Sequence, residues 1–294
     1  MRIDIQPGLR LHDTDPSLSF EERLQKARAQ GFTCVQLALS KIPELTADPA
    51  ALTPGYAALI RKALREADLD LSVLGCYLNL GNHDSAAMQD IQTRYIAHLR
   101  FAAFLGMGVI GTETGWPGSA GKPDKEACRS EIALEHFLLH LRPIVKTAEK
   151  FGVFLAIEPV ISHIVWNAKR ARVVLDSINS PNLQIILDPV NLLDRENADH
   201  ADEVIEEAID LLGKDVCILH LKDYVLAGES IRPAGFGRGE MNYEKILRFA
   251  LRCKPGIQTM LENTTPENAV SCREYLEQQI AAIQLEEKHH GTSG

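Results

Sequence analysis

Four short apolar runs in the second half of the chain each end in a residue that binds divalent cations. They are Phe154 to Ile157 before Glu158, Leu183 to Leu187 before Asp188, Val216 to Leu219 before His220, and Ile257 to Leu261 before Glu262. Each run is too short for a core helix and is bounded by turn-forming residues, so each reads as a buried strand. Pro159 and Pro189 follow Glu158 and Asp188; proline cannot donate to a strand ladder and so ends it. The polar ends lie 30, 32 and 42 residues apart, about one strand–helix unit per step with a longer loop in the last. If the strands are parallel neighbours, all four side chains meet at one end of one sheet.

The rest of the chain repeats the pattern. Strands are expected at Arg2 to Leu9, Thr33 to Leu39, Leu71 to Leu78 and Val109–Ile110. Helices are expected at Phe20 to Gln30 with Ser19 as N-cap, and at Pro54 to Ala67 with Thr53 as cap. Asp90 to Leu105 reads as a helix closed by Gly106. Lys125 to Lys150 reads as a long helical segment closed by Gly152, kinked or divided at Pro143. Lys169 to Ile178, Ala201 to Leu212, Tyr243 to Cys253 and Ala269 to Leu285 complete the helices. Eight apolar strands alternating with helices close naturally into a single (β/α)8 TIM barrel over residues 1–285, with residues 286–294 a flexible polar tail. An open, doubly wound sheet is the alternative architecture.

The net charge of −9 argues against a broad nucleic-acid surface, and no run reaches the length of a membrane span. The six cysteines are scattered without a C-x-x-C pair, so neither a zinc ribbon nor a dithiol redox site is indicated. From reduced thiols and an N-terminus without a signal-like apolar core, a cytoplasmic location is expected.

Barrel active sites sit at the C-terminal ends of the strands, where Glu158, Asp188, His220 and Glu262 fall. Singly, each is an ordinary strand-end or turn residue; together they read as a metal site. Three carboxylates and one imidazole without a thiolate form a mostly oxygen shell. It suits one divalent ion, Mn²⁺ first with Mg²⁺ or Co²⁺ as alternatives, better than a structural zinc. Coordination positions left open to substrate make the site catalytic.

The motifs around these residues are Ala156-Ile157-Glu158-Pro159, Leu187-Asp188-Pro189-Val190-Asn191, Leu219-His220-Leu221-Lys222-Asp223, Leu261-Glu262-Asn263 and Gly237-Arg238-Gly239-Glu240-Met241-Asn242-Tyr243. Along nearly its whole length the chain resembles the xylose isomerase-like barrel superfamily of sugar isomerases and epimerases, which also holds inosose dehydratases and endonuclease IV. The resemblance implies that Glu158, Asp188, His220 and Glu262 bind one Mn²⁺, Mg²⁺ or Co²⁺. It also implies that Glu158 and Glu262 are the catalytic acid–base pair, working through a metal-stabilised enediolate. Ketose 3-epimerases of this group usually carry a Glu and an Arg at the positions of Ile164 and Leu226, so the chain departs from that pattern.

Around the ligand set, Lys222 shares a strand face with His220, reaching either a substrate oxygen or Asp223. Asn191 is a hydrogen-bonding candidate for a substrate hydroxyl. His163 is read as a mouth residue or as part of a surface loop. Glu113 and Trp116, in the loop after the fourth strand, are candidates for substrate contact and pocket wall. His12 and His83 are further mouth candidates. Arg238 and Arg232, in the long loop after the seventh strand, are anion-binding candidates, Arg232 the more solvated, and Phe236 is placed as a cover.

The expected function is a metal-dependent sugar isomerase or epimerase acting on a small-molecule sugar or polyol, in a homodimer or homotetramer. A lyase acting on a keto-inositol or oxidised sugar derivative is the runner-up. A non-catalytic sugar-binding barrel or a subunit of a complex is the reading from another class. An endonuclease IV-like enzyme is disfavoured by the acidic charge and the few spare strand-end histidines.

Overall fold

The computed structural model describes residues 5–118 and 121–291. Parallel strands alternate with helices around the barrel. The strands are β1 (Gln6–Arg10), β2 (Cys34–Leu37), β3 (Asp70–Gly75), β4 (Val109–Glu113), β5 (Phe154–Glu158), β6 (Leu183–Leu187) and β7 (Val216–Leu221). An outlying antiparallel hairpin, β8 (Asp223–Ala227) and β9 (Ser230–Ala234), precedes the last barrel strand, β10 (Gln258–Leu261). β1 pairs with β2 on one side and with β10 on the other, Gln6 opposite Gln258 and Leu9 opposite Leu261. That last pairing closes the sheet and excludes the open alternative. Arg2, expected in the first strand, lies outside the described residues.

The helices are α1 (Phe20–Ala29), α2 (Pro54–Glu66), α3 (Ser85–Leu105), α4 (Lys125–Arg129), α5 (Glu131–Phe151), α6 (Ala168–Ile178), α7 (Ala201–Leu212), α8 (Glu244–Cys253) and α9 (Ala269–Gly291). Ser19 and Glu22 form a reciprocal capping box on α1, and Thr53 caps α2. Asp84 caps α3 and starts it ahead of the expected Asp90. The long segment divides at Ser130, whose hydroxyl accepts from the Ala133 N–H. Pro143 lies inside α5 instead; the carbonyl it cannot serve belongs to Leu139, an exposed residue of the outer helix face. α9 runs on through residues 286–291, because Glu286 and Glu287 pair with Arg248 and Arg252 of α8. The expected domain boundary at residue 285 therefore falls within a helix; residues 292–294 lie outside the described residues. Among the described residues no helix is long and apolar enough to cross a membrane. All six cysteines are free thiols.

The barrel has two cores. The larger lies between strands and helices. The smaller plugs the barrel interior and consists of Cys34, Val73, Ala156, Ile186, Ile218 and Met260. Gly8 and Gly111 complete that layer by leaving room. A Cβ on Gly8 would lie 2.1 Å from Met260 Cε, and one on Gly111 2.6 Å from Val73 Cγ1. Side chains alternate along a strand with period two, so the next inward position lies one layer nearer the C-terminal mouth. Two residues past Gly8, Cys34, Gly111, Ala156, Ile186, Ile218 and Met260 stand Arg10, Gln36, Glu113, Glu158, Asp188, His220 and Glu262. A polar layer thus rests on an apolar floor.

Candidate metal centre and active site

Glu158, Asp188, His220 and Glu262 come from or just beyond four contiguous strands, in the order β5, β6, β7, β10. All four are buried, and each offers a donor atom within 4.8 Å of the others. His220 Nδ1 lies 3.0 Å from Glu262 Oε1 and 3.3 Å from Glu158 Oε2. An octahedral ion with bonds of about 2.1 Å separates adjacent donors by about 3.0 Å. The spacing therefore fits a single small divalent cation, and three buried carboxylates supply the negative charge to hold one.

Lys222, two residues beyond His220, enters the same cluster. Its Nζ lies 2.7 Å from Asp188 Oδ2 and 3.0 Å from Glu262 Oε2, and donates to Asn191 Oδ1 at 2.7 Å. The rim pair with Asp223 is not formed; Asp223 Oδ1 accepts from the Tyr224 and Met241 N–H groups. Asn191 in turn donates from Nδ2 to Glu158 Oε1 at 2.6 Å, bridging the lysine and the first ligand. Burial alone would lower the Lys222 ammonium, but Asp188, Glu262 and Glu158 outweigh it and raise its pKa. Burial likewise opposes a charged His220, and Glu158 with Glu262 reverse this, raising it to about 10. Glu262 is held well below the ordinary carboxylate range: burial pushes it up, and Lys222, His220 and Arg10 pull it down further. In the absence of a metal, these cations balance the carboxylates.

Above the ligands opens a cavity of about 340 Å³, lined by Glu158, Lys222, Asn191 and Glu262 on one wall and Arg10, His12, Gln36, Lys41, Tyr77 and Glu113 on the other. A larger hollow of about 530 Å³ opens at the opposite end of the strands, beside Gln6, Val216 and Ile257. Barrel chemistry is performed at the C-terminal face, so the smaller cavity is the relevant one. Glu113 is pushed up to about 7 by burial and by the charges of Glu158 and Glu262. His163 is buried behind it, with Nδ1 3.7 Å from Glu113 Oε2, too far for a hydrogen bond. Burial lowers His163 to about 4, so its ring is neutral at physiological pH. Trp116 packs on His163 with ring centroids 5.6 Å apart and backs the wall rather than lining it.

Several expected site residues lie elsewhere. Arg238 donates to Ser271 on α9, outside the cavity walls, because Gly237 turns the chain at φ +74° and carries the guanidinium away. Phe236 is a fully buried core residue between Tyr243 and Tyr275. Arg232 lies on the exposed hairpin, and His83 packs on His136 outside the barrel. The loop motif that contains Arg238 has a bracing role: Tyr243 donates its hydroxyl to the Lys222 carbonyl at 2.6 Å.

Conversely, Arg10, Gln36, Lys41, Tyr77 and Asn263 line the cavity without having been anticipated. Arg10 lies 3.1 Å from Glu262 Oε1 and donates to Asp13 Oδ2 at 2.8 Å. Tyr77 accepts a hydrogen bond from Gln36, and its ring folds over Gly75, where a Cβ would lie 2.4 Å from Tyr77 Cε2. Asn263 adopts φ +54° directly after Glu262, a left-handed conformation that asparagine tolerates better than most residues. Period-two counting from the first strand would have found Arg10. Tyr77 lies past its strand, and its direction is set by Gly75.

No curated protein sequence matches the chain. Solved structures share its fold. A D-tagatose 3-epimerase-like protein superposes with a TM-score of 0.76 at 15% identity, covering 96% of this chain and 99% of that one. An IOLI protein with a bound zinc atom gives 0.72 at 16% identity, covering 95% and 99%. The probable 3-DHS dehydratase AsbF from Bacillus anthracis gives 0.71 at 14%, covering 93% and 99%. At these identities the likeness establishes the barrel alone. The family model for xylose isomerase-like TIM barrels, however, matches residues 24–281, and the chain belongs to the xylose isomerase-like TIM barrel family.

Proposed function

We propose that this chain is a divalent-metal-dependent sugar isomerase or epimerase that moves a proton at a carbon beside a carbonyl. The observation that carries this reading is the buried Glu158–Asp188–His220–Glu262 quartet, with Lys222 and Asn191 facing the same cavity. A divalent ion held by these four residues, manganese in the first instance, supplies a Lewis acid for substrate oxygens. Glu158 and Glu262 stand at the two ends of the four-strand arc, which suits a base on one face of the substrate and an acid on the other. Lys222 donates to the oxygen that gains charge as the proton leaves. Asn191 accepts from Lys222 and donates to Glu158, and so orients both. Arg10 helps hold Glu262 ionised. Glu113 contacts substrate, with His163 and Trp116 supporting it from behind.

Ile164 is fully buried and Leu226 lies on the exposed hairpin, so neither supplies the polar contact that ketose 3-epimerases place there. Lys222 and Asn191 are the polar groups this cavity offers instead. A lyase is the second reading, favoured by the ammonium of Lys222 inside the site. It needs a leaving group β to the acidified carbon, protonated by the ammonium of Lys222. Solvent deuterium exchange into a panel of ketoses, inososes and their phosphates, read by mass spectrometry, tests both. Epimerisation leaves the mass unchanged apart from deuterium, whereas dehydration lowers it by one water. Glu158→Gln and Glu262→Gln are expected to slow exchange by about 10²-fold or more. Unchanged exchange in both variants would sink the acid–base assignment.

A further inference from the structure

Outside the barrel mouth, α5 carries two histidines one turn apart. His136 and His140 are an i, i+4 pair, so their rings share a helix face. Their Nε2 atoms face each other at 3.4 Å, with ring centroids 4.5 Å apart. His83, in the segment leading into α3, packs its ring on His136 at 4.6 Å between centroids. Gln92 of α3 lies 3.2 Å from His140 Nδ1 and fixes that ring's orientation.

The bland explanation is an imidazole–imidazole hydrogen bond, but 3.4 Å exceeds the usual range of about 2.7–3.2 Å for a nitrogen donor. The same distance suits a shared ion. Two nitrogens 3.4 Å apart, each bound at about 2.05 Å, subtend about 112° at the metal, close to the tetrahedral angle. Gln92 stands where an outer-shell partner of a ligating histidine belongs, and turning its amide places the oxygen against a His140 Nδ1–H. Burial also lowers the pKa of His136 and His140, which favours the neutral rings that metals require.

We propose that His136 and His140 form a second metal site that takes zinc or another borderline transition ion. Its all-nitrogen ligand set separates it in class from the oxygen-rich quartet inside the barrel. Water completes the coordination. His83 packs its ring on His136 from the segment that also carries Tyr77 and Asn79, and Asn79 accepts from the Trp116 N–H at 2.9 Å.

The site does not depend on the proposed function, and zinc counting separates the two. The full-length protein is dialysed to equilibrium against Zn²⁺, and bound zinc is measured per folded chain, with circular dichroism as the folding control. The wild type is expected to hold two zinc ions, His140→Ala one, His220→Ala one, and the double variant none. One zinc in the wild type that His140→Ala retains and His220→Ala loses would overturn the second site while leaving the barrel site standing. One zinc lost only in His140→Ala would support the second site and count against the barrel quartet. If His140→Ala fails to fold, Gln92→Leu replaces it. That variant is expected to weaken zinc binding at this site about 10–100-fold against a competing chelator; wild-type affinity for both ions would refute the proposal.

Discussion

Replacing Lys222 by Met tests the electrostatic account of the centre. The ammonium is 6% exposed and touches Asp188 at 2.7 Å and Glu262 at 3.0 Å. At an effective dielectric of about 20, each contact contributes roughly 5–6 kcal/mol of gross attraction, most of it offset by desolvation. Breaking a buried pair by removing one partner costs about 3–5 kcal/mol, because the other charge is left buried. That loss is expected for Lys222→Met in EDTA, measured by urea denaturation. With saturating Mn²⁺ the ion supplies the missing positive charge, and the charged hydrogen bond to Asn191 is the chief remaining loss, about 1.5–3 kcal/mol. The difference of about 2 kcal/mol returns as tighter metal binding, roughly 30-fold, measurable by calorimetry. An equal loss of stability with and without metal, or unchanged metal affinity, refutes the idea that lysine and metal compensate the same carboxylates.

Three further outcomes are expected. Gly111→Ala overfills the barrel plug, since its Cβ would sit 2.6 Å from Val73 Cγ1 and 2.8 Å from Ile186 Cδ1; thermal unfolding should register a loss of about 1–3 kcal/mol. His98 is a buried residue of α3, and burial, the largest influence, lowers its pKa despite the bond to the Arg94 carbonyl. It stays neutral in the fold but takes a proton in the unfolded chain below about pH 6.5, so it costs stability as pH falls below that value; His98→Gln should flatten the acid limb of a stability–pH curve. Arg238→Ala should leave substrate KM unchanged in steady-state kinetics, because the guanidinium serves Ser271 rather than the cavity.

The clustering of Glu158, Asp188, His220 and Glu262 was legible because each member follows an apolar strand in the period that brings it inward. Ile218 and His220, or Met260 and Glu262, are floor and site residue of one strand. Helix ends at Gly106 and Gly152 were equally legible, since both glycines adopt the left-handed conformation that ends a helix. What stayed hidden depends on partners distant in the chain. Lys222 is legible, but its choice of Asp188 and Glu262 over adjacent Asp223 rests on the pairing of β7 with β6 and β10. The hairpin was read as a loop: Pro233 interrupts an otherwise strand-like stretch, and the strands pair only with each other. Ser130 divides the segment where Pro143 is the stronger breaker in the sequence, because its hydroxyl caps the N-terminus of α5.

The seam between β1 and β10 has a consequence for how the molecule comes into being. Synthesis delivers the first strand at the start and its partner near the end, so the cylinder stays unsealed for most of translation. Until then, β1 and β7 are bare edges open to the wrong neighbours. Arg10 and Glu262 meet across this seam, so closure and completion of the buried quartet are the same event. A chain released before β10 is thus an aggregation hazard, with no weaker working form.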